Sequence, residues 1–262
     1  MAKAENNKYS KTIQSAVAEY ALRLGDNSLI LGQRLGEWTG HSAAVEIDMA
    51  LSNMALDLIG QAQHFLGLAG EMEGKHRDAD ALAFTRDAHE FRNFWLVEQA
   101  NGDFARTIAR QFLFSTWQKP MLGELANSTN ETLAAVAEKA VKEVSYHQSY
   151  ARDWMLRLGG GTEESHHRLQ RALDDLWGYT GEMFAGNGVD DMLVAEGISV
   201  DPAALERGWT IEMDAVLAEA GLTKPAVERM TSGGLKGHHS EHLGHLLAEM
   251  QFLQRAYPGL EW

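Results

Sequence analysis

Apolar positions recur every three to four residues along most of the chain, and no pair of alternating apolar–polar runs flanks a tight hairpin turn. That periodicity predicts helices at about 10–36, 42–70, 103–127, 130–158, 163–186, 202–220 and 238–256, with a shorter one over 79–90. Start signals agree with it. Ser128 and Glu131 have the spacing of a capping box, Thr162 precedes two glutamates at a positive helix end, and Asp201-Pro202 places a cap ahead of a first-turn proline. Gly159-Gly160-Gly161 reads as a stop, and Asn101-Gly102 and Asn187-Gly188 as loops. The fold class is all-α.

The first four long helices form two pairs with a connection of roughly thirty residues between them. This is the plan of a ferritin-like four-helix bundle with one long crossover, to which additional C-terminal helices are attached. Residues 1–17 read as an N-terminal extension and 18–262 as a single helical domain. At 262 residues and 45% hydrophobic composition, the chain is long enough to bury a sizeable core. Its net charge of −14 argues against a nucleic-acid or anionic-membrane partner. It has no cysteine, so disulfides, thiolate nucleophiles and iron–sulfur ligation are excluded, and His, Asp and Glu remain as the strong metal ligands. The polar N-terminus and the lack of a long apolar run lead to the expectation of a cytoplasmic protein.

Two helices carry polar groups at positions that call for an explanation. The 42–70 segment is apolar nearly all round, which predicts a buried central helix with Asp57 in or beside the core and Gln61 and His64 on the same stripe. In the 130–158 segment His147 falls on the apolar seam and Glu143 stands one turn earlier. A carboxylate-bridged di-iron bundle uses Glu-x-x-His on each of two helices, because the i, i+3 spacing aims both side chains at one point, plus a carboxylate from each of the other two. Both frames are incomplete here. Asp57 is followed by Gly60 where the imidazole should stand, and His147 is preceded by Val144 where the carboxylate should stand. Asp57, Glu143 and His147 are therefore candidates for a vestigial metal site or for structural polar contacts. Towards the C-terminus, His238, His242, His245 and Glu249 have the spacing of one helical stripe, a weak candidate for a metal site. A docking helix with a polar rim, or a subunit interface bearing Phe252, Tyr257 and Trp262, accounts for the same pattern. Phosphate-cradling glycine loops, nucleophile elbows and H-E-x-x-H are absent.

Four longer stretches carry a resemblance: YALRLGDNSLILGQRLGEWTGH at 20–41, EIDMALSNMALDLIGQAQHFL at 46–66, LAFTRDAHEFRNFWLVEQANGDFARTIARQ at 82–111 and GGLKGHHSEHLGHLLAEMQFLQR at 233–255. KEVSYH at 142–147 and EGISVDP at 196–202 fit as well. Together they resemble the C subunits of bacterial phenylacetyl-CoA monooxygenase (ring 1,2-epoxidase) complexes. The resemblance implies a ferritin-like fold and a structural subunit that has lost its own active site and metal ligands. It also implies pairing with a similar catalytic subunit, which holds the di-iron centre and the CoA thioester. The complex uses O2, and NADPH through a reductase component, in aerobic phenylacetate breakdown. On this pattern the single-carboxylate positions of the other two helices fall near Ser28 and Ser115, neither of which can bridge metals. The alternatives are a di-iron oxygenase with unusual ligands drawn from Asp57, Glu143, His147 and His64, and a metal-binding protein built on the C-terminal histidines.

Overall fold

The computed structural model describes residues 9 to 260 and is helical throughout, with no strand among the described residues. Helix α1 (Lys11–Gly36) starts where the Ser10 side chain accepts from the Ile13 amide. Residues 11–17, expected within an N-terminal extension, continue this helix, and Ala16 and Val17 pack into the core; residues 1–8 of that expected extension lie outside the described residues. Helix α2 (Val45–Glu73) runs back against α1 and ends at Gly74, whose φ of 69° is the left-handed C-cap that glycine adopts without strain. The two helices approach closely at Gly25 and Gly32. A Cβ at Gly25 would stand 2.7 Å from Leu66 side-chain atoms, and one at Gly32 would stand 3.2 Å from the Ala55 carbonyl oxygen.

The crossover holds α3 (Ala79–Phe84), a 3-10 turn at Ala88–Glu90 and the single-turn α4 (Trp95–Glu98). Helix α5 (Phe104–Leu125) and α6 (Glu131–Gly159) form the second long pair, and α6 also packs along α2. The bundle therefore consists of α1, α2, α5 and α6, as the pattern predicts. The α6 cap is Asn130, whose Oδ1 accepts from the Leu133 amide at 2.9 Å. Ser128 accepts from the Asn130 amide and donates to the Ile198 carbonyl, so the expected Ser128–Glu131 box does not form.

Beyond the bundle lie α7 (Glu163–Leu176), α8 (Gly188–Ala195), α9 (Pro202–Ala220), α10 (Glu241–Met250) and α11 (Phe252–Ala256). The expected 163–186 helix stops at Leu176. Gly178 and Gly181 interrupt it, and the chain continues as 3-10 turns at Trp177–Tyr179 and Gly181–Phe184. The expected 238–256 helix begins only at Glu241 and breaks at Gln251, whose side-chain amide donates to the Ala83 and Arg86 carbonyls. Among the described residues no helix is long and apolar enough to cross a membrane.

Buried charges fasten the crossover to α1. Arg86 and Asp26 are both shielded from solvent and form a two-pronged ion pair, in which Arg86 Nη1 donates to Asp26 Oδ2 at 3.0 Å. The Arg92 amide donates to the same Asp26 oxygen at 2.8 Å, and the Arg86 guanidinium lies over the Phe91 ring. Removing one partner strands the other as a buried charge. Arg86→Met is expected to lower the unfolding free energy by about 3–5 kcal/mol, and combining it with Asp26→Leu to cost clearly less than Arg86→Met alone. Urea unfolding midpoints of the three chains check this.

Candidate functional site

The two frames singled out in the sequence face each other across α2 and α6. His147 is completely buried, and its Nε2 lies 3.0 Å from Asp57 Oδ2. A carboxylate accepts, so in the neutral ring Nε2 carries the proton; Nδ1 is buried and has no hydrogen-bond partner. Of the two places expected for Asp57, in or beside the core, the structure shows the second: its side chain is 36% exposed and reaches the buried His147. The cause is the orientation of α2. Its outer stripe is apolar but faces away from the bundle, with Val45, Met49, Leu56 and Ile59 exposed, so an apolar composition all round did not produce an all-round buried helix.

Glu143 does not join His147. Its Oε2 accepts from Gln61 Nε2 at 2.9 Å, and its other oxygen lies 3.7 Å from Lys139 Nζ. Gln61 Oε1 in turn accepts from Gln118 Nε2 at 3.1 Å, which completes a polar relay from α6 through α2 to α5. Val144 fills its place in the second frame with no exposed surface, and Gly60 offers no side chain in the first. Ser28 and Ser115 are both buried hydroxyls, and Ser115 donates to the Phe112 carbonyl on its own helix. His64 is exposed. Among the described residues no three His, Asp or Glu side chains come together in a way that could hold a metal ion.

The C-terminal histidines do not share a stripe. His238 precedes α10, and Ser240 is the residue before its first turn, so His238 cannot continue the series of His242, His245 and Glu249. His245 and Glu249 are exposed, and His242 is half-buried. The residue that matters in this segment is His239, which sequence reasoning passed over. Its Nδ1 lies 2.7 Å from Glu98 Oε2 and its Nε2 lies 3.0 Å from the Phe91 carbonyl oxygen. Both partners only accept, so both ring nitrogens donate and His239 is an imidazolium. Burial opposes that charge, but the Glu98 hydrogen bond and negative charge outweigh it and raise the His239 pKa above its ordinary value.

Glu98 and Glu182 were also missed. Each is a lone acid in an apolar neighbourhood, FWLVEQ and GEMF, and that isolation was the available signal. Glu182 Oε1 accepts from the Gly233 amide at 2.8 Å and the Leu235 amide at 3.3 Å, and its Oε2 accepts from the Trp95 amide at 3.3 Å. These acids tie the C-terminal segment to the crossover.

Residues 1–262 match the family model described as "Phenylacetic acid catabolic protein". The C subunit of 1,2-phenylacetyl-CoA epoxidase from Escherichia coli (strain K12) is 49% identical over 243 residues, which cover 93% of this chain and 98% of that protein.

Two outcomes follow from the geometry. Asp57→Ala leaves His147 Nε2 buried without its acceptor and is expected to cost about 1–3 kcal/mol in denaturant unfolding. Because the folded-state pKa of His239 is raised, its contribution is complete below the ordinary histidine value of about 6.5 and disappears as pH climbs through the raised one. Thermal unfolding between neutral and mildly alkaline pH should therefore show a fall in stability that His239→Gln flattens.

Proposed function

The chain belongs to the phenylacetic acid catabolic protein family, and we propose that within it the protein is the non-catalytic structural subunit of a phenylacetyl-CoA epoxidase complex. In this reading it pairs with and stabilises a similar catalytic subunit in the cytoplasm, in aerobic phenylacetate degradation. The di-iron centre, the CoA thioester and O2 are handled on that partner, and NADPH electrons arrive through a reductase component. The similarity to the C subunit of the Escherichia coli epoxidase supports membership of such a complex.

One observation carries the non-catalytic part. In the frame of α6, the place a bridging carboxylate would need is occupied by Val144, fully buried in the core, while His147 is committed to Asp57. The remaining donors do not fit a di-iron centre. Glu143 is held by Gln61 beside Lys139, and the other two helices offer only the Ser28 and Ser115 hydroxyls. A di-iron site needs about six converging ligands, and hydroxyls and amides are poor substitutes for carboxylates around iron. No reaction step is therefore assigned to this chain.

Metal content after anaerobic Fe(II) loading and desalting tests the reading. Well under one iron per chain is expected. Two irons per chain would overturn it and return Asp57, Glu143 and His147 to the role of ligands.

A further inference from the structure

We propose that the cleft between the start of α1, the end of α2 and the crossover is a binding site for a small aliphatic phosphate, held by Lys11, Lys75, Arg77 and Arg92. The site stands apart from the structural-subunit reading and from the Asp57–His147 contact.

The cleft encloses about 720 Å³, within the range of small-molecule sites. Its charges invert those of the chain. Five basic and three acidic side chains line it, whereas the whole sequence has 23 basic and 37 acidic residues. Each of these acids is already engaged. Glu73 accepts from Arg77 Nε and Nη2 at 2.7 and 2.6 Å, Glu19 Oε1 from Arg23 Nε at 3.2 Å, and Glu90 Oε2 from the Asp87 amide at 2.9 Å. Among the cations, Arg86 belongs to Asp26. Lys11 and Lys75 are exposed and pair with no acid among the described residues. Arg77 Nη1 and Arg92 Nη2 also meet no acceptor among them. Two ammonium groups and two guanidinium edges are thus free to donate, and phosphate oxygens take both kinds of donor.

The guanidiniums are held in place before any ligand arrives. The loop after α2 passes through left-handed backbone at Gly74 and again at His76, with φ of 69° and 60°. His76 is the one non-glycine residue in that region among the described residues, and such conformations persist where the surroundings determine them. Gly70 lets the Arg77 carbonyl rest directly on α2, since a Cβ there would overlap that oxygen. The Glu73 fork then fixes the Arg77 side chain. On the crossover side, Arg92 Nη1 donates to the His89 and Phe91 carbonyls at 2.9 and 2.8 Å. Donors positioned in this way lose little freedom on binding.

The rest of the wall sets the organic part. Ala18, Leu22, Ala69, Met72 and Leu82 give an apolar surface beside the cations, which suits a short alkyl chain. No aromatic side chain lines the cleft, so a nucleobase would find no ring to stack on. The pattern therefore favours an aliphatic phosphate over a nucleotide.

The test is titration calorimetry of the full chain with octyl phosphate, inorganic phosphate and octanol. Octyl phosphate should bind at one site per chain, at least about tenfold more tightly than either of the others. Lys11→Glu with Lys75→Ala should weaken it by at least about tenfold. The thermal midpoint of that variant should match the parent's, since both lysines are exposed and a glutamate suits the first turn of α1. Arg171→Glu, at an exposed cation on α7, should leave binding unchanged. An absence of octyl phosphate binding, or binding that the lysine variant leaves intact, overturns the site. Inorganic phosphate or octanol binding as tightly as octyl phosphate overturns the ligand class, leaving a bare anion site or an apolar one. Sedimentation with vesicles of phosphatidylcholine and phosphatidic acid separates a free ligand from a bilayer. The chain should stay in the supernatant; co-sedimentation that the lysine variant abolishes gives the site to a lipid surface and overturns the proposal.

Discussion

Glu98 has no exposed surface, and a buried carboxylate is tolerated only when each oxygen is satisfied by donors. Its Oε1 takes the Ser240 amide at 2.6 Å, and its Oε2 takes Asn93 Nδ2 at 2.9 Å and the His239 imidazolium at 2.7 Å. Its own carbonyl accepts from the Arg34 guanidinium of α1, which also reaches the His242 carbonyl. One residue thus draws α1, the crossover and the C-terminal segment to a single point. Asp26 repeats the arrangement about two turns earlier on α1 through Arg86 and the Arg92 amide, and Glu182 repeats it against the Gly233 and Leu235 amides. A long crossover with little helix of its own is held in place by these anions, because each donor it loses leaves a charge in the core.

The bundle centre follows the opposite rule. A di-iron site requires several carboxylates to face one another, which is stable only with cations between them. In this chain that level of the bundle is nearly neutral. Val144 is apolar, Ser28 and Ser115 are hydroxyls, and Gln61 and Gln118 are amides that can donate and accept at once. The relay from Glu143 to Gln61 to Gln118 needs only one carboxylate, and Lys139 lies near it. The Asp57–His147 pair sits at the edge of the bundle, where water reaches Asp57. With a single carboxylate in the relay, little repulsion between acids arises at that level of the bundle.

The long helices were legible because each carries its period over many residues and is capped by local chemistry, as at Thr162 and Asp201-Pro202. The incomplete frames at Gly60 and Val144 were equally legible, since i, i+3 spacing on a helix fixes direction. The splits at Gly178 and at Gln251 were not, because tertiary hydrogen bonds and packing decided them; Gln251 breaks its helix while bonding carbonyls 165 and 168 residues away in sequence. His239 was hidden for the same reason. The spacing of His238, His242 and His245 drew attention to them, whereas His239, on the loop before α10, meets a glutamate 141 residues earlier.

Helix α2 is the most informative of these cases. Its apolar composition predicts burial within the chain, and half of the helix obeys: Leu51, Met54, Leu58, Phe65 and Leu66 face the core. The other half is exposed, and there Val45, Met49, Leu56 and Ile59 stand among polar residues such as Glu46, Asn53, Gln63 and His64, unlike the outer face of α7, where Arg168 pairs with Glu164 and Asp103. Hydrophobic pattern reports what water must be excluded from, and it does not say which molecule excludes it. In an isolated chain, solvating Val45, Met49 and Leu56 is a cost with nothing returned inside its own fold. Within this chain α2 is consistent on its inner face, where pattern and packing agree, and its outer face keeps apolar residues that this fold does not cover.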